Sequence, residues 1–413
     1  MEARRETYDL ILRNGRVIDP ANGLDEFADV AIRGGKIARI EAGIAPGSAD
    51  KEADVKGGYV IPGIVDIHAH IYPLLPMAPE CLGSIDADAH MVKVGVTTAV
   101  DAGSVGWRDF LNFKERVIDK AQTRVLAFLN IACKGMIDMR SEQSPADMQP
   151  KVAAEVARAY PELIVGIKAA HYWPGPKPFD AEHPPWASVD RAVEAAELSG
   201  TRAMIDFQPN HPDSPYKDLV LKHMRAGDIH THVFARHFPT VDADGKVYDY
   251  MRRARENGVL FDVGHGAGSF WFRNGVRAIR DGFPPDTIST DMHTASVRGP
   301  ALSMLHVMSK FLNMGMPLYE VIERSTVLPA LKIGRDDLGT LSVGACADVA
   351  VIRKLEGDFG YVDNGYAKLS GTCMLDCLMT VRGGKPIYDG YGLTMPEWTD
   401  APQAYWDMPA HLR

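Results

Sequence analysis

Between residues 58 and 335, short apolar runs alternate with helical patterns, and this alternation predicts a parallel sheet wrapped by helices. The candidate strands cover 64–68, 97–101, 124–130, 163–168, 203–207, 229–234, 259–263 and 287–290. Helical stretches fall between them, such as 188–198 and 248–256, the latter stopped by Asn257-Gly258. Eight such units over roughly 270 residues match an α/β fold of the (β/α)8 TIM-barrel type. An open doubly wound sheet is the alternative, but it needs a Gly-rich phosphate turn after its first strand. Here Ala69-His70-Ile71 follows instead.

Both ends of the chain read differently. Tyr8-Asp9-Leu10-Ile11-Leu12-Arg13, Asn14-Gly15 and Arg16-Val17-Ile18-Asp19 form a hairpin signal. A second hairpin is signalled by 29–33, Gly34-Gly35 and 36–40, and β-like runs return at 347–352 and at 377–382 before Gly383-Gly384. The expected organisation is a small β-sandwich built from 1–57 and 336–390 around a barrel at 58–335. A C-terminal arm, 391–413, carries Trp398, Tyr405, Trp406 and several prolines. It is expected to be non-helical and to pack on its own barrel or on a neighbour, which leaves a homo-oligomer open.

The 413 residues carry a net charge of -9 and no basic run, which argues against nucleic-acid or anionic-membrane partners. No apolar stretch reaches the length of a spanning helix. The first seven residues lack the apolar centre of a secretion signal, so a cytoplasmic protein is expected, with a removed signal left open. Cys81, Cys133, Cys346, Cys373 and Cys377 form an odd, unpaired set, read as structural or incidental thiols of a reducing compartment.

In such a barrel, chemistry gathers where strands end. The first strand ends in His68-Ala69-His70, and alternate residues of a strand share a face, so both imidazoles point the same way. The fourth ends on Lys168, the fifth carries Asp206, and the sixth carries His230 and His232. The seventh ends in His265 between glycines, and the eighth in Asp291 followed by His293. Each residue alone has an ordinary structural reading. Together, so many ionisable groups at one barrel mouth are costly unless a cation compensates them. Lys168 is either a salt-bridged structural residue or a desolvated amine of lowered pKa. Such an amine can add carbon dioxide, and the resulting carbamate bridges metals roughly 3.5–4 Å apart.

On these residues the chain resembles the amidohydrolase superfamily. The matching elements are His68-Ala69-His70 after Val60-Ile61-Pro62-Gly63, Lys168, His232, Asp291 and the split β domain. It resembles most the dihydroorotase-like deacetylase branch, through 227–234, 261–266, 308–313 and 341–348. There is one departure: relatives usually place a histidine where Asp206 stands. A carboxylate is an acceptable zinc ligand, though an anionic one lowers the Lewis acidity of its metal.

The resemblance implies two divalent ions, Zn most of all with Mn as an alternative, and N6-carboxylysine at Lys168. His68, His70 and Asp291 would hold the buried ion, and His232 with Asp206 the exposed one. Asp291 would also carry the proton from the attacking water to the leaving group. His265, His293, His171 and Arg298 are candidates for substrate contacts, and Trp107, Tyr172, Trp173 and Arg236 for shaping the pocket. His230 is assigned a supporting or core role. The expected reaction is hydrolysis of an amide or ester bond in a small N-acyl or O-acyl substrate. Opening of a cyclic amide such as dihydroorotate or a hydantoin is the second reading, and a non-catalytic binding barrel the third.

Overall fold

A computed structural model describes residues 7–73, 83–138, 140–173, 178–207 and 212–407. Cys81 lies outside the described residues. The chain opens with β1 (Tyr8–Asp19), β2 (Leu24–Arg33), β3 (Lys36–Glu41), β4 (Ala49–Asp54) and β5 (Tyr59–Pro62). The central sheet follows as β6 (Ile64–Ala69), β7 (Val96–Gly106), β8 (Arg124–Asn130), β9 (Ile164–Ala169), β10 (Arg202–Ile205), β11 (Ile229–His230) and β12 (Leu260–Phe261). The chain returns through β13 (Val349–Val362), β14 (Lys368–Arg382) and β15 (Lys385–Asp389).

The seven central strands are parallel and ordered by sequence, β6 beside β7 through to β12. The segment 287–292 closes the ring. Thr287 bridges Asp262 beside β12, and Met292 bridges Ala69 at the end of β6, both in parallel sense. This is an α/β barrel. Its strands are buried on both faces, which explains why β6 and β9 read as near-continuous apolar runs rather than alternating ones. Helices such as Ala187–Ser199 and Asp249–Glu256 cover the outside.

The strands from the two termini join in one hydrogen-bonded sheet, ordered β15-β14-β13-β5-β1-β2-β3, with β4 branching from β1. They enclose their own apolar cluster, with Leu12, Val17, Val30, Val60, Val351 and Val381 at its centre. The Asn14-Gly15 hairpin expected from sequence is absent. Residues 8–19 run as one strand with a bulge at that point, where Asn14 has φ of 57°. Val60 packs so closely that a Cβ on Gly15 would lie 2.5 Å from its Cγ2. The Gly34-Gly35 hairpin does form between β2 and β3.

The C-terminal arm begins against the β sheet, where Asp389 accepts the backbone N–H groups of Leu393 and Thr394. Beyond that, Trp398, Tyr405 and Trp406 are exposed, so these aromatics do not pack on their own barrel. Among the described residues, no helix is long and apolar enough to cross a membrane.

Candidate metal centre

The barrel mouth brings His68, His70, Lys168, Asp206, His232 and Asp291 onto the wall of one cavity of about 320 Å³. One ligand atom each from His68, His232 and Asp291 lies within 4.8 Å of the others. His70 joins this group through Asp291, with Nε2 3.0 Å from Oδ1. Asp206 joins through His232, with Oδ2 3.3 Å from Nε2.

All three histidines are held by Nδ1. His68 Nδ1 lies 2.8 Å from Thr231 Oγ1, and that hydroxyl donates to buried Asp262 at 2.8 Å. His70 Nδ1 lies 2.9 Å from Ser104 Oγ, whose residue is fixed by its N–H donating to Asp101 at 2.7 Å. His232 Nδ1–H donates to the Gly264 carbonyl at 2.6 Å. Each ring is therefore held so that Nε2 faces the carboxylates of the cavity, the arrangement that orients metal-binding imidazoles.

Glycines make room for the site side chains. A Cβ on Gly103 would lie 2.5 Å from Lys168 Cγ, one on Gly264 2.6 Å from His232 Nδ1, and one on Gly266 2.2 Å from Asp291 Oδ2. The glycines flanking His265 thus make room for the His232 and Asp291 side chains. Three site residues, His171, His232 and Asp291, adopt left-handed φ values of 53°, 62° and 47°. Such conformations cost about 1–3 kcal/mol each and persist where surrounding structure holds them.

The electrostatics are dominated by burial. It lowers the pKa of Lys168, opposed by the nearby carboxylates Asp206, Asp291, Asp262 and Glu142. It drives His68 well below its ordinary value, with cationic Lys168 adding to the effect. Burial alone would raise Asp206, yet His232, Lys168 and His171 hold its carboxyl far down. Lys168 Nζ is buried and has no hydrogen-bond partner among the described residues. An orphaned amine beside carboxylates and cavity-facing imidazole Nε2 atoms fits a divalent-metal centre, because a bound cation compensates what the protein leaves unpaired.

The remaining expectations divide. His171 and His293 line the cavity. His171 Nδ1 lies 3.0 Å from Glu142 Oε2; burial opposes its charge, but Glu142 outweighs this and raises it to about 9. Burial takes His293 down to about 4. His265 and Arg298 are placed elsewhere. His265 is fully buried, stacked on Phe270 and hydrogen-bonded to Lys310, so it cannot touch a substrate in the cavity. Arg298 is exposed, and its Nε donates to the Thr294 carbonyl. Arg236 is also exposed. Trp107, Tyr172 and Trp173 bond to backbone carbonyls of Ile131, Pro184 and Pro178 and are not among the cavity-lining residues. His230 sits in the core against Tyr216, Phe238 and Phe261.

Sequence reasoning missed His237, Met136 and Ser269 in the cavity wall. His237 and Ser269 lie on loops and Met136 in the short 3-10 turn Gly135–Ile137, where no periodicity announces them. It also passed over Thr231 and Asp262, although a carboxylate inside Phe261-Asp262-Val263 was a visible signal.

No family model matches the chain. A deacetylase of Brucella anthropi is 30% identical over 352 residues, covering 82% of this chain and 83% of that protein. A deacetylase of Enterococcus faecalis is 28% identical over 389 residues, covering 92% and 99%. The crystal structure of an adenine deaminase matches with a TM-score of 0.81 and 26% identity, over 93% of this chain and 100% of that one. That of a dihydroorotase gives 0.78 and 27%, over 92% and 99%. The chain belongs to the amidohydrolase superfamily, on its dihydroorotase-like deacetylase branch. It is a metal-dependent hydrolase acting on carbon–nitrogen bonds.

Proposed function

We propose that this enzyme removes the acyl group of a small N-acyl or O-acyl substrate at a two-metal centre carrying N6-carboxylysine at Lys168. The observation that carries this reading is the Lys168 amine, buried without a hydrogen-bond partner among the described residues and beside Asp206 and Asp291. A lysine in that setting is unfavourable as an ammonium and reactive as a free amine. The amine adds carbon dioxide and releases one proton, giving an anionic carbamate with two oxygens. His68, His70 and Asp291 would hold one divalent ion, and His232 with Asp206 the other. Imidazole and carboxylate donors suit Zn2+ first and Mn2+ second.

Bound ions of this kind supply Lewis acidity and a water acidified toward neutral pH. The chain's own residues supply the rest. Asp291, held ionised by His70 and His293 against the effect of burial, accepts a proton from the attacking water and returns it to the leaving nitrogen or oxygen. His171 and His293 border the cavity where the acyl substrate would sit. The deacetylase names of the two bacterial relatives support an acyl substrate over a cyclic one.

The test is to strip the enzyme with a chelator and restore Zn2+ or Mn2+ with bicarbonate. Metal content is then measured, and turnover is assayed on N-acetyl amino acids, O-acetyl hydroxy acids, hydantoin and dihydroorotate. Two ions per chain and turnover of acetylated acids are expected. Turnover confined to the cyclic ureides would replace this reading with ring opening. Failure to bind metal would overturn it.

A further inference from the structure

One wall of the cavity is the loop after β12, where Ala267, Gly268 and Ser269 line the space. Gly264, Gly266 and Gly268 make it intrinsically loose, since glycine restricts the backbone least. Within the barrel, Gly266 N–H donates to the Thr290 carbonyl at 2.9 Å and Trp271 N–H to the Phe234 carbonyl at 3.1 Å, and further anchors come from the other domain. The hairpin tip between β13 and β14, residues 363–367, reaches across from the terminal sheet. Phe270 N–H donates to Asn364 Oδ1 at 2.8 Å, and Asn364 N–H donates to the Phe270 carbonyl at 3.0 Å. Asn364 Nδ2 also donates to the Gly266 carbonyl at 3.4 Å. Asn364 therefore grips both ends of the three-residue wall.

The tip is itself braced. Buried Asp363 accepts Phe272 N–H at 3.0 Å, and Gly365 and Ala367 N–H at 2.8 and 2.9 Å. Lys310, fully buried on the helix Met304–Asn313, donates to the Val362 carbonyl at 2.7 Å, to the Pro300 carbonyl at 2.9 Å and to His265 Nε2 at 2.7 Å. Asn313, on the same helix, donates to the Cys373 carbonyl and accepts Thr372 N–H. Trp271 packs against the tip so closely that a Cβ on Gly365 would lie 2.4 Å from its Nε1.

We infer that the β13–β14 hairpin is a substrate-positioning element of the active site, with Asn364 as the residue that sets the 267–269 wall. The terminal sheet thus does more than complete the fold: it fixes where the acyl substrate lies relative to the metal ligands. Asn364 touches no ligand residue, so its loss acts on substrate placement and not on the chemistry. The inference rests on the acyl-hydrolase reading for its substrate, and on the hairpin contacts for its mechanism.

The test uses full-length metal-loaded enzyme, with p-nitrophenyl acetate and p-nitrophenyl butyrate as probes. Hydrogen exchange of the 266–272 amides and Trp271 emission are followed in parallel. Asn364→Ala should speed exchange across 266–272 and raise KM for both probes about tenfold, below the ~10²-fold cost of misplacing a reacting group by an ångström. It should leave kcat within about threefold and metal content unchanged. Asn364→Asp, which keeps the acceptor for Phe270 N–H, should recover most of the loss. Gly365→Ala, which forces the tip off Trp271, should shift the emission and reproduce the KM effect. Unchanged exchange in Asn364→Ala overturns the inference, as does faster exchange with unaltered KM. Should the wild type turn over neither probe, KM is read on whichever acetylated acid it hydrolyses, and unchanged exchange across 266–272 in Asn364→Ala still overturns the inference.

Discussion

The two halves of the metal centre are built differently. On the β6 side, His68 and His70 are each fixed through a hydroxyl: that of Thr231 donates to buried Asp262, and Ser104 is held by its backbone N–H on buried Asp101. Asp262 is further held by Thr287 and Ser289 hydroxyls, both at 2.7 Å. On the β9–β10 side, Lys168 Nζ has no hydrogen-bond partner among the described residues, and Asp206 is the more exposed carboxylate, paired with His232. One half is organised by protein–protein hydrogen bonds before any ion arrives. The other half leaves the Lys168 amine unpaired beside carboxylates, which the proposed carbamate and a cation would reconcile. Side chains locked in place by neighbouring hydrogen bonds are what give a site precision.

The largest expected effect is that of Asp291→Asn, because Asp291 faces His68 and His70 and is proposed to move the proton. Turnover should fall by about 10²–10⁴-fold, the usual contribution of a positioned acid or base, with an unchanged melting temperature. Activity within tenfold of wild type would remove Asp291 from that role. Next in size is Thr231→Val, which deletes the hydroxyl between His68 and Asp262 while keeping the side-chain shape. Metal affinity, read by competition with a chromophoric chelator, should weaken about 10–100-fold. A comparable loss from Asp206→Ala would mean that the two halves contribute alike, and the contrast would break. A smaller loss, confined to one of two ions, would sharpen it.

The ease of reading these halves from sequence follows the same division. Residues on strand ends were legible, because strand periodicity and barrel topology together dictate where His68, His70, Lys168, Asp206, His232 and Asp291 must point. The barrel itself was legible for the same reason: the eighth candidate strand, 287–290, begins the segment that bridges Asp262 at Thr287 and Ala69 at Met292. What failed were inferences from adjacency. His265 follows a strand and sits between glycines, yet those glycines accommodate His232 and Asp291 while the imidazole turns inward to Lys310. Arg298 is near Asp291 in sequence and bonds only outward-facing backbone. Asn14-Gly15 has hairpin chemistry, but long pairing with β2 turned it into a bulge. The loop residues His237 and Ser269 and the long-range grip of Asn364 arise from tertiary placement, which no local pattern encodes.

A third region resembles the organised half in being held by the protein alone, and it is open to a pH test. His306 lies on the helix Met304–Asn313, against the Tyr361 ring and near Lys310. Burial lowers it from 6.5 to about 4, with Lys310 adding to the shift. Between those two values the unfolded chain binds a proton that the folded chain does not. The group's contribution to stability is therefore complete above pH 6.5 and is lost as pH falls through about 4. The shift corresponds to at most about 3 kcal/mol, less what partial solvent access screens. His306→Phe keeps the ring against Tyr361 and removes the titration. Chemical denaturation at pH 7 and pH 4.5 should show a smaller acid-induced loss in the variant, by about 1–2 kcal/mol. Equal losses in both proteins would show that the helix–hairpin junction is insensitive to this proton, leaving acid sensitivity to groups at the barrel mouth.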